Sequence, residues 1–299
     1  MTYQPNHFLI GLANPDNFIT PYRWANDDQD NVCPVLHCQF DLPGTGPTDV
    51  YAKAIDLSVR QGVVMCLNEI SGWLLARAGQ LPVAASAFLA NIRSSELPAF
   101  THGALPPELP GGVRLFFCTQ EISRTQATGL LNTDALITEQ AHWPHVHDAI
   151  ALDEYTGNSD RHPYNMVRKA HQDFALIDHG RLLYRNAEPC WHGDELEGLL
   201  DHGFANAIHH NMYVYGNISA SAARTDGFKR CSDSALHQAQ NMRSVFFEIA
   251  YWCAKLSPGT SAQWLYFLNE RMHRVDSLLS KRFGILNLTS PHAFAVATP

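Results

Sequence analysis

The chain is poor in charge: only 17% of its 299 residues are Asp, Glu, Lys or Arg. Its hydrophobic share of 45% suffices for a sizeable core and argues against wholesale disorder. Basic residues are especially few, 21 Lys and Arg against 29 Asp and Glu for a net charge of −8. That balance gives no support for a general nucleic-acid surface, though a local basic cleft remains compatible with it. The seven cysteines are scattered singly with no Cys-x-x-Cys pair, which fits a reducing compartment better than a disulfide framework. No apolar run reaches the ~18 residues of a membrane span. The start, Met1 to His7, lacks the basic residues and apolar core of a secretory leader. A cytoplasmic location with no membrane partner is therefore expected. Internal repeats, low-complexity segments and coiled-coil heptads are also missing.

What is present is an ordered series of elements. Residues 34–40 and 49–55 read as strands, and Leu42 to Thr48, with its Pro and Gly residues, reads as the turn of a hairpin. Residues 57–78 change to helical period, with Val63, Val64, Leu67, Ile70, Leu74 and Leu75 on one broad face. Gly79 ends that helix and Pro82 prevents its resumption. After a Pro- and Gly-rich loop at 103–112, residues 113–118 read as a buried strand, and Thr119-Gln120-Glu121 as the hinge to a mainly helical remainder. A helix is expected over 146–156, short strands at 166–168 and 174–177 joined near Gln172-Asp173, and helices at 196–210, 234–256 and 261–281. The pattern predicts an α+β protein: a small β-rich part with one major helix over 1–118, and a mainly helical part over 119–299.

The most informative run is Asn158-Ser159-Asp160-Arg161-His162-Pro163-Tyr164-Asn165, followed by Ile177-Asp178-His179-Gly180. Phosphoryl transfer to a hydroxyl needs one carboxylate to orient and deprotonate the acceptor, and oxygen ligands to hold magnesium on the phosphates. Asp160 suits the first role. Asn165 and Asp178 suit the second, because Mg2+ prefers oxygen donors and keeps several waters. A hairpin between them would bring Asn165 and Asp178 to the same end.

The Asp-Arg-His-x-x-Asn loop with Ile-Asp-His-Gly resembles the catalytic core of the HipA-like kinases, and more distantly the phosphoinositide kinases. The resemblance extends upstream. Val50 to Ala54 looks like the strand carrying the ATP lysine, here Lys53. Cys66 to Ile70, with Leu74 to Arg77 and Gly79 to Val83, looks like the helix supplying its carboxylate partner, Glu69. Asn68 competes for that position, one residue away. The resemblance implies a two-lobed, protein-kinase-like fold that takes ATP and Mg2+ between its lobes, with adenine at Phe117, Cys118, Thr119 and Glu121. It also implies a protein Ser/Thr acceptor and a toxin or regulatory role beside an antitoxin or other partner, although the additional N-terminal segment of longer family members is not evident. His162 could touch the γ-phosphate or hydrogen-bond the loop backbone, and Arg161 could order the loop by pairing with carboxylates. His179 stands where protein kinases carry the Phe of Asp-Phe-Gly.

One segment departs from the family pattern. Residues 26–33, where the resemblance implies a phosphate-covering loop, read Asn-Asp-Asp-Gln-Asp-Asn-Val-Cys, acidic and without glycine. Bare carboxylates repel phosphate, which leaves a pseudokinase scaffold as one alternative. A kinase of the same fold acting on a lipid or small molecule is the other, and the scarcity of basic residues argues against the lipid acceptor. Gly44-Thr45-Gly46 offers a glycine-bearing substitute for the phosphate-covering loop but reads better as a plain hairpin turn. His142, His145, His147, His209 and His210 have no cysteine or carboxylate that completes a four-ligand zinc set, and read as surface or loop histidines. Trp191-His192-Gly193-Asp194 lies where kinases place activation or substrate-binding segments.

Overall fold

The computed structural model describes residues 8–25, 33–123, 132–185, 188–189, 193–215 and 221–285. The acidic run 27–30 and the Trp191-His192 pair lie outside them. In chain order the strands are β1 (Ile10–Ala13), β2 (Phe18–Trp24), β3 (Val35–Leu42) and β4 (Gly46–Ala54), followed by helix α1 (Arg60–Ala78), β5 (Ala87–Arg93) and β6 (Val113–Gln120). Helices α2 (Thr133–Ala141) and α3 (Val146–Thr156) lead to the short strands β7 (Met166–Ala170) and β8 (Asp173–Leu176). The remainder is helical: α4 (Gly193–Gly198), α5 (Ala207–His210), α6 (Ser221–Met242), α7 (Phe246–Leu256) and α8 (Ser261–Phe283). The molecule is thus α+β. No helix among the described residues is long and apolar enough to cross a membrane.

Six strands form one mixed sheet in the order β1-β5-β6-β4-β3-β2. β1 runs parallel to β5, and the other pairs are antiparallel. The β3–β4 hairpin forms as expected, with Val35 opposite Lys53 and Leu42 opposite Gly46. Strand alternation divides β4 between two faces. Val50, Ala52 and Ala54 enter one apolar cluster with Leu36, Cys38, Phe40, Phe116 and Cys118. The loop after β5 covers this cluster with Leu97, Phe100 and Leu105. Tyr51 and Lys53 point to the other face.

α1 is more deeply set than an amphipathic helix. From Cys66 to Ala76 every residue is buried, because α3, α6 and α7 also pack against it. Such burial favours hydrogen-bonded polar side chains, although Asn68 Oδ1 has no partner among the described residues. Asn68 donates to the carbonyls of Gly180 and Leu182, both at 2.9 Å, and Ser71 accepts from the Trp264 indole at 3.1 Å. The helix closes one residue later than glycine placement suggested: Gly79 keeps φ −73° and Gln80 takes the left-handed turn at φ 61°. The Leu81 amide then reaches the Ala76 carbonyl at 2.9 Å, a Schellman closure.

Several expectations need correcting. The segment expected to be a hinge at Thr119–Glu121 begins inside β6, which stays paired with β4 through Gln120. The helix expected over 196–210 is two short helices, the second capped by Asn206, whose side chain accepts from the His209 amide at 3.1 Å. The one expected over 234–256 is α6 and α7, separated by a turn at Arg243–Val245, and α6 starts much earlier, at Ser221. β1, β2 and β5 were not anticipated. Buried on both faces at Ala87–Ala90, β5 lacks the alternation that marks a half-exposed strand.

Candidate functional site

Between the sheet and the β7–β8 hairpin lies a cleft holding about 830 Å3 of empty space, part of it open solvent. Val35, Trp73, Ala84, Phe117, Ile122 and Leu176 give it apolar walls, while Lys53, Glu69 and Asp178 line one end. The hairpin is tied to the segment after α1 through its backbone: the Leu176 amide donates to the Pro82 carbonyl at 2.8 Å, and Val83 bridges Leu176 in parallel register.

Three chain-distant residues meet at the polar end. Lys53 Nζ donates to Glu69 Oε1 and, at 2.6 Å, to Asp178 Oδ1. The Glu69 side chain is 4% exposed and that of Asp178 39%, so the glutamate anchors the lysine from inside and the aspartate faces the cleft. The competition between Asn68 and Glu69 is thereby resolved, since Asn68 is spent on two carbonyls. Burial favours a neutral amine, yet Asp178 and Glu69 outweigh it and hold the Lys53 pKa above the usual lysine range. Burial likewise opposes ionisation of Asp178, but Lys53 prevails and keeps that carboxyl well below its usual range. For Glu69 burial wins over Lys53, and its pKa is raised.

Asp178 has φ 55°, left-handed and uncommon for a residue with a side chain. The conformation is held from both sides. The Ile177 carbonyl accepts from Arg161 Nη1 at 2.6 Å, and the His179 amide donates to Glu69 Oε2 at 3.0 Å. Across the hairpin end, the Ile177 amide donates to the Asn165 carbonyl at 3.2 Å. Asn165 and Asp178 are therefore at one end of the hairpin, as expected of a hairpin between them. Asn165 Nδ2 donates to the Asp160 carbonyl at 2.7 Å and lies 3.5 Å from its carboxylate. Its amide nitrogen being committed there, its oxygen is the atom left for a ligand. The Asp160 carboxylate is 28% exposed, with Arg181 3.5 Å away.

The loop from 158 to 165 is held from beneath by a buried ion pair. Arg161 and Asp153 have fully buried side chains, and their closest contact is 3.3 Å. Asn158 also donates to Asp153, at 3.1 Å, and accepts from the Asp160 amide at 3.0 Å. Gly157, at φ 65°, ends α3 where any Cβ would lie 2.5 Å from Leu183 and 2.9 Å from Phe204. Arg161 thus supports the loop by pairing with a carboxylate, as read from the sequence. Asp153, eight residues before Arg161, carried no linear signal because its partner is set by the fold.

The remaining residues are divided. His162 is exposed, and its Nδ1 accepts from the Tyr164 amide at 3.3 Å, a contact with the loop backbone. Phe117, Thr119 and Gln120 line the cleft. The Cys118 side chain falls on the opposite face of β6, in the cluster with Cys38 and Phe116, and its backbone lies between paired strands on both sides. Glu121 turns its carboxylate to His37 at 3.2 Å and the Tyr51 hydroxyl at 3.4 Å. Tyr51 and Trp73 line the cleft without having been singled out; both read in sequence as ordinary strand and helix residues.

The donors at this end are hard oxygens, a carboxylate and an amide, beside a second carboxylate at Asp160. Such a set suits Mg2+ shared with phosphate oxygens. No cluster of three or more His, Cys, Asp or Glu side chains able to hold a metal occurs among the described residues. His142 bonds the Thr138 carbonyl at 2.8 Å, His145 pairs with Asp148 at 3.0 Å, and His209 stacks on Tyr213. Compared with known proteins, the chain matches no family model and no curated protein.

Proposed function

We propose that this chain is an ATP- and magnesium-dependent phosphotransferase with a two-lobed, HipA-like kinase fold, acting in the cytoplasm on Ser or Thr of a protein. One observation carries the reading: Lys53, Glu69 and Asp178 converge on one cleft, next to a loop that presents Asp160 and Asn165. A lysine with three N–H donors that spends two on carboxylates keeps one for a phosphate oxygen. Glu69, fixed in the interior, holds the lysine stem. The apolar walls at Val35, Phe117 and Ile122 suit an adenine ring, and the oxygens of Asp178 and Asn165 suit the metal. Bound magnesium would neutralise charge on the β- and γ-phosphates. Asp160, part exposed and anchored through its backbone, would orient the acceptor hydroxyl and take its proton as the new O–P bond forms and ADP departs with the electrons of the bond that breaks.

Incubation of the purified protein with γ-labelled ATP and magnesium in a cell lysate, beside its Asp160→Ala variant, tests this. A labelled protein band that depends on Asp160 is expected and identifies the acceptor. Label confined to lipids or small molecules would move the acceptor class. No transfer, together with no rise in melting temperature at millimolar ATP and magnesium, would leave a scaffold and refute the proposal, because any ligand of the folded state raises that temperature.

A further inference from the structure

Asp178 sits in the left-handed region at φ 55°, which Asp tolerates better than most residues with a side chain, and its flanking residues are tied down on both sides. The guanidinium of Arg161 has five N–H donors, and each finds a partner. Nε and Nη2 reach the two oxygens of Asp153, both at 3.3 Å. Nη1 reaches the carbonyls of Asn165 and Ile177, at 3.3 and 2.6 Å. Nη2 also reaches Nδ1 of His179 at 3.1 Å. A guanidinium can only donate, so in this contact Nδ1 is the acceptor and the neutral ring carries its proton on Nε2, a buried nitrogen with no partner among the described residues. The ring is 3% exposed and lies against the bare backbone of α1 at Gly72, where an added Cβ would come within 2.3 Å of His179 Cβ. The residues on both sides of Asp178 are therefore tied to one buried cation, which also reaches the carbonyl of Asn165.

Building on the phosphotransferase reading, we propose that His179 is a positioning residue: its Nδ1, as acceptor for the fifth donor of Arg161, holds Asp178 left-handed and aims its carboxylate into the cleft. Phe at this position preserves the ring volume but accepts nothing, leaving one buried donor of Arg161 unsatisfied. Asn supplies Oδ1 close to where Nδ1 stands, and can accept in its place.

The test has two arms. In the unmodified protein without nucleotide, ring nitrogen NMR should show His179 with Nδ1 unprotonated and Nε2 protonated. Amide exchange at 177–180 should quicken in His179→Phe and return toward normal in His179→Asn. Neither readout needs kinase activity. In the transfer assay, His179→Phe should lose kcat by about 100-fold, the scale of an ångström of misplacement, with a smaller change in KM for ATP, and His179→Asn should recover most of the loss. A protonated Nδ1, or Phe and Asn variants that exchange and turn over alike, would overturn the role. If the Phe variant does not fold, the ring-nitrogen result and the Asn variant decide. Absence of transfer in the unmodified protein would refute the phosphotransferase reading and leave the nitrogen and exchange results to decide the lock.

Discussion

Replacing Lys53 by Met should turn the most buried carboxylate of the cleft into a pH-dependent liability. The lysine neutralises Glu69, whose side chain is 4% exposed, and Asp178, whose side chain is 39% exposed. Removing one partner of a buried pair costs about 3–5 kcal/mol. Most of that belongs to Glu69, since Asp178 can turn to solvent. The His179 amide still donates to Glu69 Oε2, which argues for the lower end, about 3 kcal/mol at neutral to alkaline pH. Burial already raises the Glu69 pKa, and Lys53 is the main opposing influence. Without it the carboxyl stays protonated to higher pH. A group whose folded pKa is raised imposes no penalty below its unfolded value and a growing one as pH climbs toward the folded value. The stability gap between Lys53→Met and the unmodified protein, from urea unfolding, should therefore be smaller at acidic than at alkaline pH. Adding Glu69→Gln should recover much of it, the signature of coupling in a double-mutant cycle. A gap equal at both pH values, or a Glu69→Gln change that simply adds to the loss, would refute the reasoning.

The other expectations are shorter. Asp178→Ala should abolish phosphate transfer through loss of a metal oxygen while the lysine keeps its Glu69 partner; near-normal turnover would remove Asp178 from the site. Arg161→Met should cost about 3–5 kcal/mol by leaving Asp153 buried and unpaired, read as a shifted urea midpoint. Gly72→Ala should destabilise by about 1–3 kcal/mol or more, because its Cβ would meet the Cβ and ring of His179 at 2.3–2.9 Å. It should also weaken any ATP–magnesium melting shift, whereas Gly198→Ala, where no atom lies within 4 Å, should not.

Much of this arrangement was legible in the chain. The turn residues between two alternating strands specify the β3–β4 hairpin, and the apolar period of 146–156 coincides with α3. The five-residue spacing of Asp160 and Asn165 reflects a loop that closes on itself through the Asn165 side chain. Elements went unseen where the local pattern says little. β5 is apolar on both faces, β1 joins the sheet by parallel pairing with a strand more than seventy residues away, and no Gly or Pro in Gln240 to Val245 marks the break before α7. The left-handed turn falls on Gln80 although Gly79 is next to it, because the closing bond needs the residue one position later.

The sequence by itself determined which chemical groups are available and their order: a strand lysine, a helix with Asn68 and Glu69 both eligible, and an Asp-Arg-His-x-x-Asn loop followed by Ile-Asp-His-Gly. Only tertiary structure decided between Asn68 and Glu69, because the choice depends on which side chain meets Lys53 and which meets the Gly180 and Leu182 carbonyls. It alone turned Cys118 away from the cleft, through the two-residue alternation of β6, and gave Arg161 its partner Asp153. Contacts of this kind join residues far apart in the chain, as Lys53 and Asp178 are at 125 positions. Local propensity acts over a few residues, so such meetings exist only once the sheet, α1 and the hairpin have packed.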